Sequence, residues 1–457
     1  MLTLIRERYR GKGGIKELLL IALPMVASYG CDVVMQITDR LYMAQTSPEA
    51  MNAVMGGGLS VLVLSFFFVG LLSFSTSLVA QYYGAGLKKN SAKVLTQSVI
   101  VILAAYPLIL LLRPLGLKFF LFMQLTPQQL MYQTKYFNIM VFGVFFSLLR
   151  TAFTGYFSGI GKTRIVLFST LVTMFANVGF NYVLVFGKLG FAPMGITGAA
   201  IGTVLASVLG SAVFMWSYLS KENASEFEVK KSFRYDSEIM KKLLYFGSPQ
   251  GIEMFLNMLA FSVMIFVFQS QGNLIATATT ITFNWDFISF VPLIGIEIGI
   301  MSLVGRYMGA KDVKSAVRST YSGLTLGLTY SFVCLLLFVF IPEILVNLFK
   351  GNNDKLFPEV APIAIQMIQF ASLYVLFDAI MVCLIGALRG AGDTYFAMWA
   401  SMLTNWLMAG VAYVMFDMFK YDVITVWLAV IAVIISLSVV LAFRFFQGKW
   451  KEIHVIE

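Results

Sequence analysis

Long apolar runs constrain this chain more than any motif does. They fall at 17–43, 56–82, 94–117, 130–157, 165–187 and 195–219, and resume at 244–269, 275–305, 316–341, 360–388, 395–416 and 423–445. Each is long enough to cross the ~30 Å hydrocarbon core of a bilayer as a helix. In that solvent a segment must satisfy its own backbone hydrogen bonds, which a lone α-helix does. Hydrophobic residues make up 59% of the chain and charged residues 12%, against ~25% charged in soluble domains. A soluble enzyme, a disordered chain and a disulfide-rich module are thereby excluded. The expected fold is an all-α membrane protein of about 12 transmembrane helices.

The net charge is +10, which in a soluble protein would suggest nucleic acid. Here it reports topology, because lysine and arginine gather at the cytoplasmic ends of spans. With the N-terminus inside, 25 of the 33 basic residues fall on the cytoplasmic side, among them Arg6, Arg8, Arg150 and Arg389. The other side holds 8: Arg40, Arg113, Lys118, Lys135, Lys188, Lys350, Lys355 and Lys420. That excess predicts both termini inside and an even number of spans. Residues 220–243 form the longest charged connection. They divide an N-lobe (1–219, spans 1–6) from a C-lobe (244–457, spans 7–12 and a cytoplasmic tail).

The halves repeat. SLVAQYYGA at 77–85 matches SLVGRYMGA at 302–310, an offset of 225 that Pro24 and Pro249 share. SGIGKT at 158–163 matches RGAGDT at 389–394, an offset of 231. Two parallel six-helix repeats follow, an architecture that in transporters places the substrate site between halves. Pro24, Pro107, Pro249 and Pro292 are candidate kinks.

Six acids lie inside apolar runs: Asp32, Asp39, Glu253, Asp286, Glu297 and Asp378. A charged carboxylate facing lipid is costly, so each should face protein or a wet cavity. Asp32 and Asp39 are seven residues apart, ~20° around a helix, with Gln36 between them and Ser28 extending the stripe. The seam serves either as a hydrogen-bonded helix contact or as a cation or proton site. Arg40 beside Asp39 offers a third use, plain neutralisation. Asn177 and Asn181 share a helix face, and their oxygens can ligate a sodium ion or their amides can hydrogen-bond a carboxylate. Glu253 and Asn257 share another. Asp286 and Glu297 lie within ~20° of each other across Pro292. They are open to a substrate or proton-relay role, or to being buried acids satisfied by Asn284 or a hydroxyl.

The ordered set of MQITDRLYMA, AQYYGAG, NVGFNYVLVFGKLG, FGSPQGIEMF, LYVLFDAIMV and LRGAGDT resembles the multidrug and toxic compound extrusion (MATE) family, in its bacterial NorM-type branch. The resemblance covers nearly the whole chain. It implies an Asp39–Asn177–Asn181 cluster in the N-terminal half that seats Na+ or H+, and it matches Asp378 to a family aspartate. Sodium-coupled members carry a glutamate in the seventh span. Alignment through Gly247 and Pro249 puts that glutamate at Asn257, with Glu253 one turn, ~5.4 Å, earlier. Glu253 is nevertheless included with Asp39, Asn177, Asn181 and Asp378 as coupling residues. Asp32, Gln36, Asn257, Asn284, Asp286 and Glu297 are candidate cavity residues.

The expected activity is export of cationic, lipophilic small molecules by alternating access, driven by an inward Na+ or H+ gradient. A lipid or lipid-linked precursor flippase of the same superfamily is the alternative, and it would want a more cationic cavity. No HExxH, GxSxG, P-loop or GxGxxG motif occurs, so neither catalysis nor direct ATP drive is expected. Cys31, Cys334 and Cys383 lie in apolar runs without CxxC spacing, and the only histidine, His454, is in the tail. No cofactor is expected beyond the coupling ion. The expected setting is a bacterial inner membrane, with the chain monomeric in the lipid bilayer and binding no nucleic acid. Tyr29, Phe283, Trp285, Met264 and Met367 are candidates for adaptable cavity walls.

Overall fold

The computed structural model describes residues 9–123, 125–350 and 356–456, so Arg6, Arg8 and Lys355 lie outside the described residues. The apolar runs become α1 (Ile15–Ala44), α2 (Pro48–Ser73), α3 (Ser75–Gly84), α4 (Lys88–Phe122), α5 (Pro127–Gly159), α6 (Thr163–Phe186) and α7 (Ile196–Leu219). Two short helices follow, α8 (Lys221–Glu226) and α9 (Val229–Ser232). Then come α10 (Ser237–Gln269), α11 (Asn273–Gly309), α12 (Val313–Phe340), α13 (Pro342–Asn347), α14 (Phe357–Ala391), α15 (Thr394–Tyr413) and α16 (Val423–Gln447). Among the described residues, 11 spans qualify for membrane crossing by length and composition, α2 and α3 counting as one. The twelfth, α15, carries Ser401, Thr404 and Asn405 among its apolar residues and continues as a π-turn, Val414–Met418.

Local chemistry fixes the helix ends. Ser47 and Thr126 cap α2 and α5 through their hydroxyls, each followed by a proline in the first turn, a position where the missing N–H costs nothing. The second span breaks at Phe74, where no proline stands. Pro24, Pro107, Pro249 and Pro292 all lie inside continuous helices. The repeat survives at the level of backbone dihedrals. Gly161 (φ 79°) and Gly392 (φ 97°) are equivalent at the 231 offset, and both are left-handed. At the 225 offset Gly86 (φ 77°) corresponds to Lys311 (φ 58°). The turn is kept there although the glycine is not.

The chain forms two compact units whose limits cut across the expected lobes. One spans Ala27–Gly251 with Gly309–Lys311 and the last described residues from Val455. The other comprises the described residues up to Val26, with Ile252–Met308 and Asp312–His454. Close helix approaches account for the difference. In the second unit, Gly295 and Gly299 let α11 press against Val26 and Ala22 in the opening half of α1; a Cβ on Gly295 would lie 2.6 Å from the Val26 nitrogen. In the first, a Cβ on Gly70 of α2 would lie 2.6 Å from the Gln250 carbonyl oxygen, which ties the start of α10 there.

The charged connection at 220–243 is not a free tether. Phe227, Val229 and Ser232 are fully buried. The Gln97 side chain grips the backbone on both sides of Tyr235, donating to the Arg234 carbonyl at 3.0 Å and accepting from the Asp236 N–H at 3.2 Å. Lys93 pairs with Asp236 at 2.7 Å, and its hydrogen bond holds the Asp236 carboxyl below the usual range. Partial burial works against ionisation of Glu226, but Lys88 (3.0 Å) and Lys162 (3.2 Å) outweigh it and hold that carboxyl low.

Candidate functional site

In the first unit the expected trio assembles. Asp39 of α1 is 8% exposed. Asn181 Nδ2 of α6 donates to Asp39 Oδ1 at 2.5 Å, and Thr203 Oγ1 of α7 lies 3.5 Å from Oδ2. Asn177 Nδ2 donates to Thr203 Oγ1 at 3.1 Å. Helices α6 and α7 pack side by side, and Gly202 on α7 faces the Asn181 amide with no Cβ. The Asn177 and Asn181 side-chain oxygens are both buried without a hydrogen-bond partner among the described residues. Orphaned buried acceptors are uncommon in native structures. Here two of them flank a buried carboxylate. Turning the Asn181 amide over would present its oxygen where Nδ2 now donates. Carboxylate, two amide oxygens and a hydroxyl then make an all-oxygen donor set suited to a hard cation. Arg40 does not neutralise the site: it is exposed and makes no ion pair with Asp39 among the described residues.

The second unit holds two acidic layers. In one, Tyr374 Oη of α14 donates to Asp286 Oδ1 of α11 at 2.7 Å. Asp378 stands one turn beyond Tyr374, buried, and its carboxyl interacts electrostatically with that of Asp286. In the other, Arg389 of α14 pairs with Glu253 of α10 at 2.9 Å and with Glu297 of α11 at 2.6 Å. Each helix advances eleven residues between the layers, ~16 Å. Asp286 and Glu297 thus share a face toward α14, as their spacing predicts, but serve different clusters. The Asp286–Asp378 layer brings two carboxyl groups together without a basic partner among the described residues, and two such groups cannot both stay ionised unless a proton or another cation compensates one of them. The Glu253–Arg389–Glu297 layer supplies its own.

A family model, MatE, matches residues 24–183 and 249–414. The chain belongs to the MATE family. It is 28% identical over 450 residues to a probable multidrug resistance protein NorM of Thermotoga maritima, covering 96% of this chain and 93% of that one. Among solved structures it matches a MOP superfamily transporter from Pyrococcus furiosus, described as having a binding pocket of reversed polarity that suggests a different function. The TM-score is 0.88 at 16% identity, over 98% of both chains. A multidrug resistance MATE transporter in an outward-facing conformation matches with a TM-score of 0.87 at 16% identity, over 99% of this chain and 98% of that one. The MATE chain is a multi-pass membrane transporter of NorM type, with about twelve helices in two lobes.

Several expected residues of this MATE chain fall elsewhere. Glu253 is not joined to Asp378; Arg389 holds it a layer away. Asp32 does not share the Asp39 cluster but lies beside Arg150 of α5, Nη2 to Oδ1 3.7 Å. Gln36 and Asn284 are exposed, and Asn284 donates to its own helix at Thr280. The Asn257 side-chain oxygen is buried without a partner among the described residues. Met264, Met367, Phe283 and Trp285 are not free cavity walls. They pack into one core with Phe268 and Trp427, and the Trp285 indole donates to the Leu345 carbonyl.

Arg150, Thr203, Tyr374 and Arg389 are the site residues that sequence reasoning missed. Counting both arginines with the cytoplasmic charges hid them, although Arg150 already lay inside the run 130–157; Arg389 fell one residue past the run 360–388, and the helix continues through Ala391. Tyr374 sits four residues before Asp378, on the same face. Thr203 carries no sequence signal beyond a lone hydroxyl in an apolar helix.

Proposed function

We propose that this MATE protein is a cation-coupled antiporter that exports organic cations. It works in a bacterial inner membrane as a monomer, with both termini in the cytoplasm. The observation that carries the reading is the buried Asp39 carboxylate flanked by the orphaned oxygens of Asn177 and Asn181. A carboxylate in such a setting binds either a coupling ion or a cationic drug, not both well. A Na+ or H+ arriving down its gradient neutralises Asp39 and releases the Asn181 amide from it. The transmembrane potential adds ~2.3 kcal/mol per charge per 100 mV. Asp378, with Asp286 and Tyr374, offers a second cation seat, for coupling ion or substrate. Glu253 acts through Arg389 as a positioning residue. Against the flippase, the guanidiniums of Arg150 and Arg389 within the spans each have acidic neighbours, and the two do not form a free cationic cluster for a pyrophosphate among the described residues.

The test is ethidium efflux from proteoliposomes under an imposed Na+ or pH gradient. Wild type should need one of the two. Asp39→Asn should lose gradient dependence, and Asp378→Asn should lose at least tenfold in rate. Wild-type vesicles that move no organic cation under either gradient would overturn the reading.

A further inference from the structure

The N-terminal half carries a charge pattern that the proposed transport does not use. From Ala50 to Lys221 the chain has 11 lysines and arginines and no aspartate or glutamate. Basic residues gather at cytoplasmic helix ends, yet Arg113, Lys118 and Lys135 crowd the opposite end of one hairpin, α4 and α5. Arg113 lies ~11 Å from the middle of its apolar run and Lys135 ~13 Å from the middle of its own. Both are just inside the ~15 Å half-thickness of the hydrocarbon core. From there a long basic side chain carries its charge out to the headgroups.

The hairpin builds a seat at that level. Arg113 Nε donates to Asn138 Oδ1 at 2.8 Å, and the guanidinium carbon stands 5.8 Å from the centre of the Phe142 ring. Those contacts hold the guanidinium, and neither uses its terminal nitrogens. Lys135 precedes Asn138 by three residues on α5 and Phe142 follows it by four, so the three share one helix face. Lys135 is exposed, and Lys118 adds a third cation ~7.5 Å further out along α4. Neither helix carries an acid. None of the three basic residues has an ion pair among the described residues.

Like charges gathered without an acid favour a bound anion, and the surroundings select which. Leu111, Leu115 and Phe142 flank the cations and are 76%, 59% and 52% exposed. That surface lies at hydrocarbon depth, where acyl chains cover it. A phosphate bound beside it therefore arrives on a lipid, with its chains on the leucines and its charge on the cations. The planar guanidinium suits phosphate oxygens, and the ammonium of Lys135 adds a point charge. We infer that Arg113 and Lys135 hold the headgroup phosphate of an anionic glycerophospholipid. Which leaflet supplies it rests on the orientation proposed above; with both termini cytoplasmic it is the outer one.

Lipid-selective quenching tests this at the site. Cys31, Cys334 and Cys383 are all buried, so a bimane on Leu115→Cys reports from the exposed position alone. The full-length protein would be reconstituted in phosphatidylcholine with a small fraction of nitroxide-labelled phosphatidylglycerol or nitroxide-labelled phosphatidylcholine. A cation near a membrane surface is worth roughly fivefold toward an anionic lipid, so two should enrich phosphatidylglycerol about ten- to twentyfold over the choline lipid. Arg113→Gln with Lys135→Gln should bring the two lipids within about twofold. Arg113→Lys keeps the charge and should keep most of the enrichment. Lys135→Gln alone, at an exposed position, should lose about fivefold. Lys188→Gln with Lys221→Gln removes the same charge from exposed positions elsewhere and should change nothing. The readout needs no transport, so failed ethidium efflux with the enrichment intact counts against the exporter reading and for the site. Three results overturn the site. They are no enrichment in wild type, an equal loss in both double variants, or relief of quenching by millimolar glycerol 3-phosphate, which would mark a seat for free phosphate instead of lipid.

Discussion

Replacing Arg389 by glutamine separates the two roles open to Glu253. The guanidinium holds Glu253 at 2.9 Å and Glu297 at 2.6 Å. Glu253 is 2% exposed, and its Oε2 has no other partner among the described residues. Nothing else there compensates its charge. Breaking a buried pair by removing one partner costs about 3–5 kcal/mol, because the other charge is left desolvated and alone. Two carboxylates lose the same cation here, so Arg389→Gln should fall at the upper end, about 5 kcal/mol. Glu253→Gln leaves the Arg389–Glu297 pair neutral and intact, and should cost only about 1 kcal/mol, the worth of one hydrogen bond. Neutralising all three residues should recover most of the Arg389→Gln loss. Thermal unfolding of the purified protein in detergent orders the variants, and ethidium efflux runs beside it. Two results would refute this reasoning. One is Arg389→Gln proving no less stable than Glu253→Gln. The other is Glu253→Gln abolishing gradient-driven efflux at an unchanged melting midpoint, which would make Glu253 a coupling group in its own right.

Two further outcomes follow from the geometry. A methyl at Gly202 would collide with the Asn181 side-chain oxygen, so Gly202→Ala should cut efflux more than tenfold. Gly179→Ala, with open space around it, should be silent in both efflux and melting. At the linker, Lys93 depresses the proton affinity of Asp236. Its contribution to docking is therefore complete above the ordinary aspartate value of ~4 and disappears as the pH falls through the lower, folded-state value. Hydrogen exchange at 227–236, corrected for intrinsic rates, should stay flat from neutral pH to ~4 and rise only below it. A loss of protection that begins well above that value would show that another group governs docking.

Much of this fold was legible because its strongest signal is length. Each apolar run became helix, the second broken at Phe74, and most ends lie within a few residues of the run; the larger extensions are at Pro48 and Ser237, and Lys88, Lys89 and Asn90 continue α4 beyond the lipid-like stretch. The Asp39–Asn177–Asn181 cluster was legible through the family resemblance; the residues alone gave a polar seam at Asp39 and a separate asparagine face at Asn177 and Asn181. The pairing of the remaining acids was not. It depends on basic and hydroxyl residues near helix ends or on other helices, and their reach is set by packing that hydropathy does not encode. The unit boundaries were hidden for a related reason. A charged connection marks where a chain leaves the membrane, whereas compactness is decided by which bare glycine faces which backbone, as at Gly70 and Gly295.

The docking of the 220–236 segment through its buried Asn223, Phe227, Val229 and Ser232 bears on how such a chain can be cut, tagged or joined. A connection between two repeats is the natural place to insert a reporter or to split a protein into separately expressed halves. Here an insertion between Ser220 and Asp236 would have to pull Phe227 out of its aromatic contacts with Tyr83 and Tyr156, and break the Gln97 grip on the backbone. The N-terminal half is finished only when the chain has passed its own last span and laid this strap across α4 and α5. Exposed turns such as the one at Gly272, which has open space around it, are the places where added sequence would leave the fold undisturbed.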